Sequence, residues 1–532
     1  MVKNMEKALY KVTFLREHLI QTVEEGTTVL AAEIAAGLTP DAPCGGRGTC
    51  GKCLVRIAKG RENLRWEEGG GPLPEEELLK ACCLRVYGDV SIETPEKGDN
   101  RILTGGVEMT GTLVDETEKP FFALAAFDVG TTSLVGYLLD GRTGAQMAVT
   151  GRLNPQTQFG ADVIARGSYA MEHGGEPLYR VIRQALDEML GELVAKVNCS
   201  REDILRVSLV GNTCMHHLFL GLSPAPLMLA PYMPAQRDPM VLQAADYGLH
   251  IRKDGELWML PCIAGFVGAD TIGCLLAADW SRREPLTLMV DIGTNGEMVL
   301  GNRHRSIACS TAAGPAFEGA KIRCGMRGAD GAIDHVFRRE DGSLGFSVIG
   351  GGEAVGICGS GLLDAVAVLL AAGVLTGGGK IQETGHPWTD RVRKVEDRNA
   401  FFLTEKVCLT QEDIREVQLA KGAMAAGIRL LAKTLGVAIG DIQQVLIAGA
   451  FGNYMAPESA CSIGLLPMEL SDRIIPVGNA AGEGAKLAVA DPEQFALAGR
   501  LMNEVEFLEL ASDPDFQDVF VEQLMFSDED EE

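Results

Sequence analysis

Basic residues are scarce in this 532-residue chain: 48 Lys and Arg stand against 73 Asp and Glu, a formal charge of −25. No stretch gathers enough Lys and Arg to form a basic groove against that background, which argues against nucleic acid and anionic membrane as partners. Long apolar runs are missing too. The opening Met1-Val2-Lys3-Asn4-Met5-Glu6-Lys7 lacks the apolar run of a signal peptide, and the longest apolar stretch, after Asp364, is too short to span a bilayer. A cytoplasmic protein is therefore expected. The pattern G-x-x-x-x-G-K-S/T does not occur, which excludes a P-loop enzyme.

What is present is enough to build several cores. Hydrophobic residues make up 46% of the chain, and at roughly 100–200 residues per domain the length predicts three or four folded units. The negative charge is uneven. Residues 1–94 hold 12 Lys and Arg against 14 Asp and Glu, whereas residues 502–532 hold 12 Asp and Glu with no Lys or Arg, so residues 501–532 read as an acidic C-terminal segment with a solvated, disordered end. The near-neutral N-terminal unit gives no support to strong electrostatic steering at its surface.

Fourteen cysteines in a large cytosolic chain do not form a disulfide framework, because that compartment keeps thiols reduced. Five of them, Cys44, Cys50, Cys53, Cys82 and Cys83, fall within 40 residues, while the other nine are scattered from Cys199 to Cys461 and read as packing residues. The clustered ones follow C-x5-C-x2-C, with 28 residues between Cys53 and Cys82. Four thiolates at such spacing can hold a 2Fe-2S cluster, and the interspersed glycines let backbone N–H groups approach the sulfurs. A four-cysteine zinc site is the alternative. Around this loop the pattern predicts strands over 10–15, 19–23, 53–57 and 86–92 and a helix from Thr27 or Thr28 carrying Leu30, Ile34 and Leu38 on one face, the order of a β-grasp unit. Residues 95–120, with Pro95, Gly98, Gly105 and Gly111, read as a linker with one short strand.

Two segments of the larger region repeat each other: Phe127-Asp128-Val129-Gly130-Thr131-Thr132-Ser133 and Val290-Asp291-Ile292-Gly293-Thr294-Asn295-Gly296. Each lies between apolar runs and predicts strand, tight turn, strand. Such a turn can aim backbone N–H and hydroxyl groups at a phosphate, while the strand-end Asp holds a Mg2+ water or orients the attacking one. Two copies imply a duplicated fold whose halves close on one nucleotide. A third element, residues 445–453, has the form of a buried strand running into a Gly turn, with Gly449 and Gly452 as adenosine contacts. Residues 310–320 are expected to open a helix, with Gly314 and Glu318 as candidate nucleotide contacts. Lys421 is a further candidate, with a solvated surface lysine as the alternative. Val210-Gly211-Asn212-Thr213 should end a strand and begin a helix. His216 and His217 on that helix diverge by about 100° and are read as structural.

The first 94 residues resemble a 2Fe-2S ferredoxin domain of the adrenodoxin spacing type, whose closing Leu-x-Ala-Cys is matched by Leu79-Lys80-Ala81-Cys82. The resemblance implies Cys82 as fourth ligand beside Cys44, Cys50 and Cys53. Cys83 stands where Gln is common; neighbouring strand residues point to opposite faces, so only one of the two thiols should reach the cluster. The three later motifs resemble, in order, the phosphate-1, phosphate-2 and adenosine motifs of the superfamily of acetate and sugar kinases, actin and heat-shock ATPases. The expected architecture is thus α/β multidomain: a β-grasp ferredoxin domain (1–94), a linker (95–120) and a duplicated, ribonuclease H-like ATPase domain (121–288 and 289–500).

An electron carrier joined to an ATPase fold makes sense where an electron must move uphill, since ~59 mV of one-electron potential costs about 1.4 kcal/mol and a nucleotide can offset a few such steps. The whole arrangement resembles the reductive activators of corrinoid proteins, as do the segments 155–164, 211–213 and 312–319. That resemblance implies ATP-dependent return of a Co(II) corrinoid to Co(I) on a methyl-transfer protein, with electrons from a low-potential donor. It assigns Thr131, Thr132, Thr294 and Asn295 to phosphates and Asp128 and Asp291 to Mg2+ and water. Little room is expected between the linker and Asp128 for the extra middle domain of larger members, which leaves open the dimer interface such a domain would provide; a homodimer stays among the candidate assemblies. An activator of another low-potential metalloenzyme, or a non-hydrolysing nucleotide-binding platform for a ferredoxin, are the alternatives.

Overall fold

The structure is a computed structural model that describes residues 8–38, 40, 42, 45–46, 48, 51–66, 73–95, 120–293 and 295–526. It divides into two compact units, residues 1–98 with 155–174, and residues 99–154 with 175–532. Apart from residues 95 and 120, the expected linker lies outside the described residues, as does the acidic end at 527–532.

In the first unit, alternation along Leu9–Phe14 buries Val12 and Phe14 and turns Lys11 to solvent. This strand pairs antiparallel with Leu19–Glu24 and parallel with Val90–Glu93. Leu54–Lys59 joins Val90–Glu93 on the far side, and Leu79–Lys80 closes the edge, which is the β-grasp order. Thr28 starts the helix Val29–Ala35, its Oγ1 accepting from Ala31 N at 3.1 Å. The helix is shorter than its apolar spacing suggests, and Leu38 lies beyond its end. The strand expected over 86–92 is two, Leu84–Val86 and Val90–Glu93. Gly88 between them lies against Asn63, whose side chain a Cβ would meet at 2.5 Å.

Residues 155–174 lie in the chain span assigned by sequence to the first ATPase half, yet they pack with the first unit. Asp162 caps the helix Val163–His173 through Ala165 N at 2.7 Å. Arg166 is fully buried, and its Nε donates to Gly160 O at 2.9 Å. A Cβ on Gly45 would come within 3.3 Å of Phe159 O, so this turn abuts the cysteine loop.

The second unit repeats its topology as it repeats its motifs. Strands Ala123–Val129, Ser133–Asp140 and Gln146–Leu153 form an antiparallel meander, extended in parallel from its first strand by Ile204–Gly211 and Glu256–Met259. Strands Thr287–Ile292, Gly296–Gly301 and Ser306–Thr311 form the same meander, extended by Gln444–Ala448 and Ile474–Gly478. Asp128 pairs with Val210 and Asp291 with Ala448, so both carboxylates occupy the same place in their sheets. One apolar core includes residues of both sheets, among them Leu124, Ala126, Met289 and Val299. It also holds the helices Ala269–Ala277 and Ala480–Ala490, which meet with almost no side chain between them. A Cβ on Gly484 would fall 2.0 Å from Gly273 O, and one on Gly273 would fall 2.7 Å from Ala481 O.

Two elements depart from the sequence reading. Residues 310–320 form turns after Ser306–Thr311 rather than a helix, because Pro315 disfavours helical backbone at Gly314 and cannot donate an N–H. Gln444–Ala448 runs into a short helix, Gly449–Tyr454, rather than a plain turn.

Because the helix crossing admits no side chain, Gly484→Val should destabilise the second unit by at least about 1–3 kcal/mol. Thermal denaturation of the full chain checks this; an unchanged Tm would show that the crossing can open freely.

Candidate functional site

The first site is built on thiols. Cys53 leads into the strand Leu54–Lys59, and its carbonyl accepts from Ala81 N at 2.7 Å, which brings residues 81–83 alongside. Cys82 and Cys83 lie in a tight turn, Ala81–Cys83, not in a strand. The expected separation of adjacent thiols onto opposite faces therefore fails: both are buried, and their sulfurs are 3.7 Å apart. What distinguishes Cys82 is Cys53, whose thiol shares a hydrogen bond with it and, together with burial, holds the Cys82 proton on well above the usual thiol range. Two buried thiols competing for a proton are a place where a metal can take the proton's part. A Cβ on Gly46 would come within 4.0 Å of Cys82 Cβ, and Lys80 Nζ ties the loop by donating to Gly48 O at 3.0 Å. The described residues thus fit a metal–sulfur cluster; Cys44 and Cys50 lie outside the described residues.

The second site is a cavity of about 350 Å³ in the second unit, within the range of small-ligand pockets. Asp128, Asp270, Asp291 and Glu297 line it, and burial raises all four above the usual carboxylate range. Burial, aided by the Asp291 charge, pushes Asp128 up to about 7 even though Asn479 hydrogen-bonds it. Burial and the Asp291 charge push Asp270 to about 7, burial takes Asp291 to about 6, and burial with Asp270 lifts Glu297 well above the carboxylate range. Such an acidic cavity accepts a polyphosphate only together with a cation. Among the described residues no preformed group of three or more His, Cys, Asp or Glu is arranged to hold a metal ion.

Two asparagines at strand-to-helix junctions organise the acidic end. Asn479 Oδ1 accepts from Gly482 N at 2.9 Å, capping the helix Ala480–Ala490, while its Nδ2 donates to Asp128 Oδ2 at 3.0 Å and to Tyr137 OH at 3.1 Å. Asn212 does the same on the helix Thr213–Leu220, accepting from Met215 N at 3.0 Å and donating to Thr131 Oγ1 at 2.9 Å. Thr132 Oγ1 donates to Glu318 Oε2 at 2.5 Å, linking the first turn to the segment after the second meander. Gly449 has φ +89°, and a Cβ there would sit 2.7 Å from Asp291 Oδ1; the backbone presses against the carboxylate as no other residue type allows. Beside it the rings of Phe317 and Phe451 stack at 4.9 Å.

Of the residues singled out by sequence, Asp128, Asp291, Thr131, Thr132, Asn295, Glu318 and Gly449 line this cavity. Thr294 lies outside the described residues. Gly314 and Gly452 do not line it; Gly452 packs on Ile447, which a Cβ would meet at 2.1 Å. Lys421 is neither an adenosine contact nor a surface lysine: it is 1% exposed, its Nζ donates to Met525 O, and it lies 5.5 Å from the Phe526 ring centre. His216 and His217 are buried and neutral, His217 bridging Thr213 O and Ala235 N. Sequence reasoning missed Asp270, Glu297, Asn479, Arg327 and His335. One signal was available: Val477-Gly478-Asn479 repeats Val210-Gly211-Asn212. The scattered cysteines also include a pair, Cys324 and Cys408, in mutual contact.

Three family descriptions match successive parts of the chain: the 2Fe-2S iron-sulfur cluster binding domain over residues 14–87, the RACo middle region over 123–283, and the C-terminal domain of RACo, the ASKHA domain, over 285–532. The middle region thus falls on the sheet that carries Asp128, which overturns the expected lack of room for it. The corrinoid activation enzyme RamQ of Eubacterium limosum is 32% identical over 96% of this chain and 98% of its own. The Co(II) methylated amine-specific corrinoid protein reductase of Methanosarcina barkeri is 26% identical over 66% of this chain and 67% of its own. A solved reductive activator for corrinoid, iron-sulfur protein superposes with a TM-score of 0.69 at 29% identity, covering 97% of this chain and 98% of that one.

Cys82→Ala should abolish the visible absorbance of the cluster, whereas Cys83→Ala should retain it; the reverse pattern would exchange their roles. The buried carboxylates carry a pH signature. Folded values above the ordinary aspartate value mean that the folded chain binds more protons than the unfolded one between about pH 4 and 7, so their contribution to stability is present in acid and lost as pH rises through the folded values. The Tm of the ligand-free wild type should therefore fall relative to that of Asp128→Asn between about pH 4 and 7. A constant difference would place Asp128 in contact with water.

Proposed function

This chain belongs to the reductive activators of corrinoid proteins, iron-sulfur reductases that join a 2Fe-2S domain to a middle region and an ASKHA domain. On that premise we propose that it returns a Co(II) corrinoid cofactor, held on a methyl-transfer protein, to Co(I), and that Mg2+ and ATP bind together in the acidic cavity to drive the step.

The observation that carries the ATP reading is the equivalence of Asp128 and Asp291: two strand-end carboxylates at the same place in two like sheets, facing one cavity. Each would hold a water of the magnesium ion, the arrangement in which a divalent cation neutralises phosphate and carboxylate at once. Asn479 keeps Asp128 aimed, and the Gly449 backbone keeps Asp291 aimed. Thr131, Thr132, Asn295 and, outside the described residues, Thr294 would donate to phosphate oxygens. Arg327, the one Lys or Arg among the described lining residues, would add a charge-assisted contact. The stacked Phe317 and Phe451 would form the apolar wall for the nucleoside.

In the first unit, Cys53 and Cys82, with Cys44 and Cys50, would hold the cluster. When bound, the 2Fe-2S cluster supplies one-electron chemistry at low potential. The protein's own contribution there is to bury the thiols, to bring the backbone at Gly46 close to Cys82, and to tie the loop through Lys80 and Gly48. The donor would be a low-potential one-electron carrier, and nucleotide binding would favour the conformation that receives the corrinoid protein.

Cobalt reduction can be followed by absorbance with a purified corrinoid protein, with and without Mg2+ and ATP. Asp291→Asn should lower the ATP-dependent rate by about 10–100-fold, the usual cost of losing an outer-shell partner of a metal, and leave the cluster spectrum intact. Full-rate reduction without ATP, or an unimpaired variant, would sink the ATP reading while leaving the reductase intact.

A further inference from the structure

Nine cysteines outside the cluster loop look dispersed in sequence, but folding brings two of them together. Cys324 lies in the loop after the turn at residues 315–320, and Cys408 begins the strand Cys408–Thr410, 84 positions later. Cys408 N donates to Cys324 Sγ at 3.5 Å, and the two thiols share a hydrogen bond. Their environments differ. Cys324 is partly exposed, whereas Cys408 is buried, and the shared hydrogen bond together with the nearby Arg323 favours the thiolate on Cys324. A partly exposed thiol whose ionised form is favoured, in contact with a buried thiol, is the arrangement of an attacking and a resolving cysteine.

The loop that carries Cys324 also builds the cavity. Cys324 O accepts from Ile357 N at 2.9 Å, and Met326 N donates back to Ile357 O at 2.9 Å, after which Met326, Arg327 and Gly328 line the cavity wall. On its other side Arg323 N donates to Asp413 Oδ1 at 2.7 Å, in the first turn of the helix Gln411–Leu435. This contact, an ion pair between Lys321 and Glu416 at 3.3 Å and the thiol pair tie the wall to that helix and to the strand before it.

We propose that Cys324 and Cys408 are a reversible thiol–disulfide site that clamps this wall of the cavity. The oxidant is a low-molecular-weight disulfide, R–S–S–R. Cys324 thiolate attacks one of its sulfurs, forming the mixed disulfide and releasing R–S⁻. Cys408 then gives up its proton to that thiolate and attacks Cys324 Sγ, releasing the second R–S⁻ and leaving one intramolecular disulfide. Two electrons pass from the protein to the oxidant, and thiol reductants reverse the step. An activator that works with low-potential electrons would thereby sense when its surroundings turn oxidising. The effect on nucleotide, unlike the disulfide itself, rests on the reading of the cavity given above.

The test uses the full, cluster-loaded chain equilibrated with glutathione and glutathione disulfide. Alkylation and peptide mass mapping should find residues 324 and 408 linked, with loss of two hydrogens, restored by dithiothreitol. In the linked form, hydrogen exchange over 322–328 should slow, and the Kd for Mg2+ with ATP should change by about fivefold or more, the lower end of ordinary allosteric coupling. Cys324→Ser should show none of these changes. Both thiols remaining open to alkylation in every mixture, or exchange over 322–328 unchanged in the linked form, would overturn the proposal. A reduced protein that binds no nucleotide would instead refute the reading of the cavity, and mass and exchange would still decide the disulfide.

Discussion

Packing several carboxylates out of water around one cavity is the constraint on which the second unit turns. Asp128, Asp270, Asp291 and Glu297 crowd their charges together and lack hydration, so each is raised above the usual carboxylate range. Nothing about sheet stability asks for this; strands of the same length with apolar ends would be cheaper. Under the function proposed above, a cation carrying phosphate would fill the cavity and make the same groups favourable. Duplicated sheets supply two of these carboxylates from equivalent positions, and the side-chain-free helix crossing lets the halves share one core.

Much of this was legible before any coordinates. The β-grasp order follows from alternation and from the Thr28 cap, and the duplication follows from two Asp-x-Gly-Thr turns between apolar runs. What could not be read were contacts that depend on the closing of the chain. Asp270 and Glu297 sit in segments without a motif, and their role appears only when helix Ala269–Ala277 and strand Gly296–Gly301 face the same space. Lys421 shows the opposite failure. Its helix was predicted well, but the lysine faces the C-terminal segment, where Met525 O takes its charge and Phe526 covers it. Cys82 and Cys83 could not be separated as the sequence suggested, because a tight turn stands where a strand was expected, and the contact between Cys82 and Cys53 depends on the closing of the chain.

Residues 155–174 illustrate how chain position and packing can part company. Their Pro-Gln-Thr-Gln-Phe-Gly-Ala-Asp sequence gives a turn locked by a buried arginine, and the turn lies on Gly45 of the cysteine loop. A buried guanidinium needs its donors satisfied, and backbone carbonyls such as Gly160 O do that at fixed geometry. The loop that carries the thiols thus lies against a turn held by a buried side chain.

The asparagine caps close a mechanical circuit. Asn479 joins Asp128 to helix Ala480–Ala490, a rod of about 16 Å. Ser208 Oγ reaches Ala485 O at 2.7 Å and Arg206 reaches Val489 O at 3.1 Å, so the rod is riveted along strand Ile204–Gly211. That strand ends at Asn212, which holds Thr131, three residues from Asp128. Start and finish of the loop are therefore the two sides of a single turn. A pull on either side has no slack to disappear into; it must travel the length of the rod and return, so the turn, helix and strand move as one body or not at all.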